Sequence, residues 1–138
     1  MRNLDQLAGP ETRWLAWAEG ETLLHTDLRP DNLLVTAGGT VVVVDWAWPC
    51  RGAAWVDLAF LAPAIAGAGI DPDPILADQP TTRDLDPVAV DSLLCAMVGY
   101  WATQSRLPGP PRSPGLRAYQ ARAAQTSLTW LKSRTGRS

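Results

Sequence analysis

Histidine, cysteine and lysine are all scarce in this sequence of 138 residues. The two cysteines, Cys50 and Cys95, lie far apart and form neither a CxxC pair nor a zinc pattern, and His25 is the only histidine. With no secretory signal to read, a reduced, cytoplasmic setting is expected. The only lysine is Lys132, close to the C-terminus. Charge of one sign is also lacking: 12 basic against 14 acidic residues leave a net charge of −2, which gives no general electrostatic support for a nucleic-acid partner. A long unbroken apolar run is missing too. The nearest approach, Ala53 to Ile70, is interrupted by Asp57 and Pro63, so it reads as a buried core helix and not as a membrane span. No internal repeat or low-complexity segment is present.

What is there suffices for one domain over residues 1–138. Hydrophobic residues make up 46% of the chain and seven of them are Trp, enough to bury a real core. The stretch that organises the rest is Leu24-His25-Thr26-Asp27-Leu28-Arg29-Pro30-Asp31-Asn32, followed by Val41-Val42-Val43-Val44-Asp45-Trp46. Moving the terminal phosphoryl group of ATP to a hydroxyl needs a carboxylate to position the attacking oxygen and oxygen ligands to hold Mg²⁺ against the phosphates. Asp27 can be the first, and Asn32 with Asp45 the second. Mg²⁺ keeps water and phosphate as its other ligands, so one amide oxygen and one carboxylate are enough.

The surroundings agree with that chemistry. Leu33 to Thr36 and Thr40 to Val44 flank Gly38-Gly39, a strong hairpin signal. Such a hairpin carries Asn32 at one end and Asp45 at the other, and brings both to the same edge. Pro30 stiffens the loop before it.

These residues resemble the kinase-like phosphotransferases, the aminoglycoside and choline phosphotransferase group. Its catalytic loop reads His-x-Asp-x-x-x-x-Asn, and its metal-binding Asp ends a nearby strand. The resemblance implies that Asp27 is the catalytic base, that Asn32 and Asp45 bind Mg²⁺ and the ATP phosphates, and that His25 braces the loop. It also implies that Asp57, in Trp55-Val56-Asp57-Leu58-Ala59, is the helix Asp that hydrogen-bonds the back of the loop. Arg29 is placed either to reach the transferred phosphate or to lie at the surface. Where protein kinases have Gly two residues after the metal Asp, this sequence has Ala47, which speaks against a protein-kinase activation switch there.

The remainder reads as mainly helical. A helix over Pro10 to Gly20 puts Trp14, Trp17 and Ala18 on one face, with Gly20 able to close its end. Thr22 to Leu24 makes a short strand, and Trp46 to Gly52 a turn-rich connection. A helix from about Ala53 to Ala66 follows, broken or kinked near Pro63. Asp71 to Pro74 and Gln79-Pro80 read as a loop. Asp86-Pro87 starts a helix that runs to about Ser105. A Pro/Gly linker over Leu107 to Gly115 leads to a last helix, Leu116 to Ser133, which presents Leu116, Tyr119, Ala123, Trp130 and Leu131 inward. The fold expected is α+β and mainly helical: the C-terminal lobe of a protein-kinase-like fold, with a small antiparallel hairpin carrying the site.

Kinase-like enzymes also carry an N-terminal lobe, with a phosphate-covering loop and a strand Lys held by a helical Glu. The residues before His25 contain no glycine-rich hairpin and no lysine. The expectation is therefore an incomplete enzyme lobe, inactive alone, that transfers a phosphoryl group to a small-molecule hydroxyl once the nucleotide lobe is supplied. The alternative is a non-catalytic remnant or pseudo-enzyme acting as a binding module. In either case self-association is expected, because Leu34, Trp46 and Trp48 would otherwise face water. The stretch from Asp71 to Asp91 holds six Asp against Arg83 alone. It would suit a cationic acceptor, or merely serve turns and helix starts.

Overall fold

The computed structural model describes residues 10–136. Its backbone is α+β with helices predominating, and it divides into two compact units. The first comprises residues 86–136 together with 10–15, and the second residues 16–85.

The second unit carries the motif. Strand β1 (Thr22–Leu24) pairs antiparallel with β4 (Cys50–Gly52), and β2 (Leu33–Val35) with β3 (Val41–Val43). The expected single hairpin is thus joined by a second two-stranded sheet, in which the expected strand β1 finds its partner β4 inside the segment read as a turn-rich connection. Three residues without alternation carry no periodic signal, so β4 is recognisable only through its partner. The hairpin has the register Leu33↔Val43, Leu34↔Val42 and Val35↔Val41. At its tip Gly39 donates to the Thr36 carbonyl at 2.9 Å and takes φ +82, a left-handed geometry that glycine tolerates best.

Helix α1 (Trp55–Gly67) runs through Pro63 without ending there. Trp55, Val56, Ala59, Ala62 and Pro63 are all buried along it, and that burial outweighs the one backbone hydrogen bond that proline removes. A further short helix, α2 (Asp73–Asp78), replaces the expected loop. Pro74 sits in its first turn, where no N–H is missed, and the Asp71 carboxylate accepts from Asp73 N–H at 3.0 Å. The Asp-Pro pairs there mark a helix start.

Residues Pro10–Trp17 form a 3₁₀ helix and not an α-helix, with Trp14, Trp17 and Ala18 half-buried. Gly20 does not close it. A Cβ at Gly20 would lie 2.6 Å from the Gly52 carbonyl oxygen and 2.7 Å from Ala53 Cα, so glycine there permits a close backbone approach.

In the first unit, α3 (Pro87–Gln104) packs against α4 (Leu116–Thr135). Asp86 caps α3, its carboxylate accepting from Val88 N–H at 2.9 Å, as the Asp-Pro pair predicts. Leu93, Leu94, Met97 and Val98 from α3, with Ala124, Trp130 and Leu131 from α4, are buried. The inward stripe of α4 also includes Gln120 and Ser127, while Leu116, Tyr119 and Ala123 are only half-buried. Polar residues on the packed face shift the stripe away from its apolar reading. No described helix is long and apolar enough to cross a membrane.

Candidate active site

The loop between β1 and β2 is fixed by side chains that bond to backbone. Asp57, in the first turn of α1, accepts from His25 N–H at 2.7 Å through one carboxylate oxygen and from Thr26 N–H at 2.8 Å through the other. Two successive amides pointing at one carboxylate require a sharp bend, and Thr26 makes it at φ 63. That left-handed conformation is costly for a β-branched residue. The Thr26 hydroxyl donates to the Trp48 carbonyl at 2.7 Å, a second tether on the same residue.

The buried His25 ring spans the site. Nδ1 accepts from Asp27 N–H at 3.2 Å, so its proton resides on Nε2, which donates to the Val44 carbonyl at 2.8 Å. Trp46 packs edge-on against this ring with centroids 4.8 Å apart, and its Nε1 donates to the Val43 carbonyl at 3.0 Å. One imidazole thus ties the loop after β1 to the end of β3, next to Asp45.

Asn32 closes the loop from the other side. Its Nδ2 donates to the Asp27 carbonyl at 2.9 Å and lies 3.5 Å from Asp27 Oδ2. Asp27 is therefore held at its N–H by His25 and at its C=O by Asn32, while its carboxylate remains 42% exposed. Because Nδ2 faces the Asp27 carbonyl, the Asn32 amide oxygen points the other way, and no hydrogen bond to it is seen among the described residues. The Asn32 carbonyl accepts from Val44 N–H at 2.9 Å, which extends the hairpin ladder by one step and places Asp45 immediately beyond it. Asp45 is exposed, takes φ 61, and its carboxylate accepts no hydrogen bond among the described residues.

Arg29 is engaged locally. Its Nε and Nη2 donate to the two oxygens of Asp31 at 3.0 and 2.5 Å, and Nη1 lies 3.9 Å from Asp27 Oδ1. The hydrogen bond from Arg29 holds the Asp31 carboxyl below its ordinary pKa, its charge adding to the effect and partial burial opposing it.

The structure thus brings His25, Asp27, Asn32 and Asp57 into one network, sets Asp45 beside it through the hairpin register, and leaves Arg29 on Asp31. Three participants carried no sequence signal: the Thr26 bend, the Trp48 carbonyl and Asp31. The first two act through backbone, and Asp31 is a common turn residue.

An oxygen-only set of one amide and one carboxylate fits a hard cation that retains water. No cluster of three or more His, Cys, Asp or Glu side chains suited to a metal occurs among the described residues. Two comparisons with known proteins found matches. Over 76 residues, 54% of this chain, the sequence is 32% identical to the serine/threonine-protein kinase hal4 of Schizosaccharomyces pombe, of whose own length the match spans only 11%. No solved structure matches. Residues 4–90, which include the whole network from His25 to Asp57, match the phosphotransferase enzyme family, and the chain belongs to that family.

Proposed function

We propose that residues 10–136 form the catalytic-loop and acceptor lobe of a kinase-like, ATP-dependent phosphotransferase that passes the γ-phosphoryl group to the hydroxyl of a small molecule. The observation that carries this reading is the double hold on Asp27. A carboxylate that positions an acceptor must be open at its oxygens and fixed at its backbone, and His25 and Asn32 fix the N–H and the C=O of Asp27 while leaving its carboxylate exposed. Asp27 orients the acceptor hydroxyl and takes up its proton. Asn32, through its outward amide oxygen, and Asp45 hold Mg²⁺, which neutralises phosphate charge when bound. His25 and Asp57 keep these groups in register. Lys132, in α4, is the only lysine of the sequence, so no residue of the chain is assigned the part of the strand Lys that orients the phosphates in kinase-like enzymes.

The acceptor class rests on the phosphotransferase resemblance. A cationic acceptor would be met by the acidic stretch from Asp71 to Asp91. Within it the Asp71 carboxylate already accepts from Asp73 N–H, Asp86 caps α3, Asp84 lies 3.5 Å from Arg83, and Asp91 pairs with Arg134.

The test uses the chain joined to a nucleotide-covering lobe of its family. Asp45→Ala should abolish Mg²⁺-dependent nucleotide binding. Asp27→Ala should leave that binding largely intact and lower turnover by about 10²- to 10⁴-fold. Equal losses of binding in both variants would refute the division of roles.

A second reading has its own observation. Leu34, Val35, Val41, Val42, Trp46 and Trp48 are all exposed, Trp48 to 75%. That apolar ribbon supports a binding module that has lost catalysis, or self-association of the isolated chain. A strictly monomeric chain at high micromolar concentration in sedimentation would count against association.

A further inference from the structure

The Asp45 carboxylate is exposed, accepts no hydrogen bond among the described residues and stands on a left-handed residue at φ 61. Its direction therefore depends on how the backbone is held on either side of it. Before it, the Val44 carbonyl accepts from His25 Nε2 at 2.8 Å. After it, the Trp48 carbonyl accepts from the Thr26 hydroxyl at 2.7 Å. His25 and Thr26 are consecutive, and each donates its N–H to one oxygen of the Asp57 carboxylate, at 2.7 and 2.8 Å. Two neighbours anchored on the first turn of α1 thus reach the two flanks of Asp45, one through a ring and the other through a hydroxyl.

The Thr26 arm has no part in the roles assigned above. Ala47 N–H donates back to the Asp45 carbonyl itself at 2.9 Å, and Trp46 is held through its indole, by the His25 ring and the Val43 carbonyl. Among the described residues, the next backbone tie beyond Trp48 is Cys50, opposite Leu24 in the β1–β4 pair. A left-handed residue other than glycine, in a stretch tied only that far out, would relax toward commoner backbone conformations and turn its side chain with it. We infer that Thr26 is a positioning residue for Asp45. Its hydroxyl fixes the chain after Asp45 through the Trp48 carbonyl, as His25 fixes the chain before it through the Val44 carbonyl, and the Asp45 carboxylate keeps one direction relative to Asp27. That this direction serves a metal ion rests on the phosphotransferase reading, whereas the bracket itself does not.

The bracket is measurable by NMR on the labelled 138-residue chain without metal, with the carboxyl carbons of Asp45 and Asp27 and the Ala47 amide as probes. Thr26→Val keeps the branched side chain, and with it the backbone strain, but removes the donor. In this variant the Asp45 and Ala47 resonances should shift or broaden, while Asp27, held by His25 and Asn32, stays in place. In Thr26→Ser, which keeps the donor, the Asp45 resonance should return to its original position. Matching amide spectra in the helix pair establish that each variant is folded. If Thr26→Val does not fold, Thr26→Ala, which has no branch to crowd, carries the same comparison with Thr26→Ser. An Asp45 resonance unchanged by loss of the hydroxyl overturns the inference, and so does an Asp27 resonance that moves as far as that of Asp45, since the hydroxyl would then serve the whole loop. Titration of the wild-type chain with Mg²⁺ alone tests the other layer. Resonances of Asn32 and Asp45 that do not respond would sink the metal assignment and leave the bracket, read without metal, standing.

Discussion

The two units solve different problems by different means. In the first, the helix pair α3 and α4 buries Leu93, Leu94, Met97, Val98, Trp130 and Leu131, and the part-buried ion pair of Arg134 with Asp91 is backed by the Trp130 ring 5.3 Å from the guanidinium. In the second, the strands are three residues long and the hairpin is exposed on both faces, yet the loop beside it is tied at every turn by a side chain meeting backbone. Apolar area is non-directional and gives stability, whereas hydrogen bonds fix distances and angles. A loop whose side chains keep fixed distances needs the second kind of bond even where little area can be buried. The comparison predicts that damage to the first unit shows chiefly in stability, and damage to the second in geometry as well.

The largest expected effect is in the helix pair. Leu94 is fully buried, and Leu94→Ala should cost about 4 kcal/mol in urea unfolding through lost transfer energy and the cavity left behind. A cost below about 1 kcal/mol would mean that the apolar unit does not carry the stability assigned to it.

Next comes the polar tie. Asp57→Asn keeps size and shape but offers one acceptor to two N–H groups, and sets its own amide donors toward them. The expected cost is about 3 kcal/mol, since hydrogen bonds to a charged acceptor are lost and donors are left unpaired. It should be accompanied by faster amide exchange at His25 and Thr26. Unchanged exchange at those two amides would show that something other than Asp57 bends the loop.

A smaller effect is expected where backbones touch. Gly20→Ala puts a Cβ 2.6 Å from the Gly52 carbonyl, and nothing nearby is the flexible end of a side chain. Relief requires the chain before β1 to move away from β4, at about 2 kcal/mol in thermal unfolding. Loss of less than about 0.5 kcal/mol would indicate that this approach is loose in solution.

How much of this was legible in the sequence follows the same division. The hairpin, β1, the capped start of α3 and the last helix are written in local chemistry: Gly38-Gly39, Asp86-Pro87, and apolar periodicity. Strand β4 was not legible, because pairing with Thr22–Leu24 and not its own composition makes it a strand. Helix α2 hid behind prolines that read equally well as loop or as first turn. The spacing of His25, Asp27, Asn32, Asp45 and Asp57 singled out residues that the fold brings into one network, with Asp45 beside it. It did not show the two-amide grip of Asp57, the His25 link to the Val44 carbonyl or the Arg29 fork on Asp31, since each depends on a bend that three-residue elements leave unmarked. Gly20 shows the converse, a residue picked out correctly but for a helix end and not for a close approach.

The smallest effect sharpens the comparison most, because it separates geometry from stability at a single residue. Thr26 sits at φ 63, a conformation that costs a β-branched residue roughly 1–2 kcal/mol, and it is kept there by Asp57 at its N–H and by the Trp48 carbonyl at its hydroxyl. Thr26→Ser keeps the hydroxyl and removes the crowding methyl, so it should stabilise the fold by a few tenths of a kcal/mol, on the order of the strain relieved. Thr26→Gly removes all of the strain, but it loses the bond to Trp48 and gives the unfolded chain more freedom, worth about 0.5–1 kcal/mol against it. Its net change should stay within about 1 kcal/mol of zero in urea unfolding. The Gly and Ser variants together isolate the hydroxyl bond, since both relieve the branch and only Ser retains the donor. Were Thr26→Gly to cost more than about 2 kcal/mol, the tether to Trp48, and not Asp57, would be the main restraint on the bend. The loop would then be held from the segment after Asp45, and the polar unit would be organised around Trp48 instead of the first turn of α1.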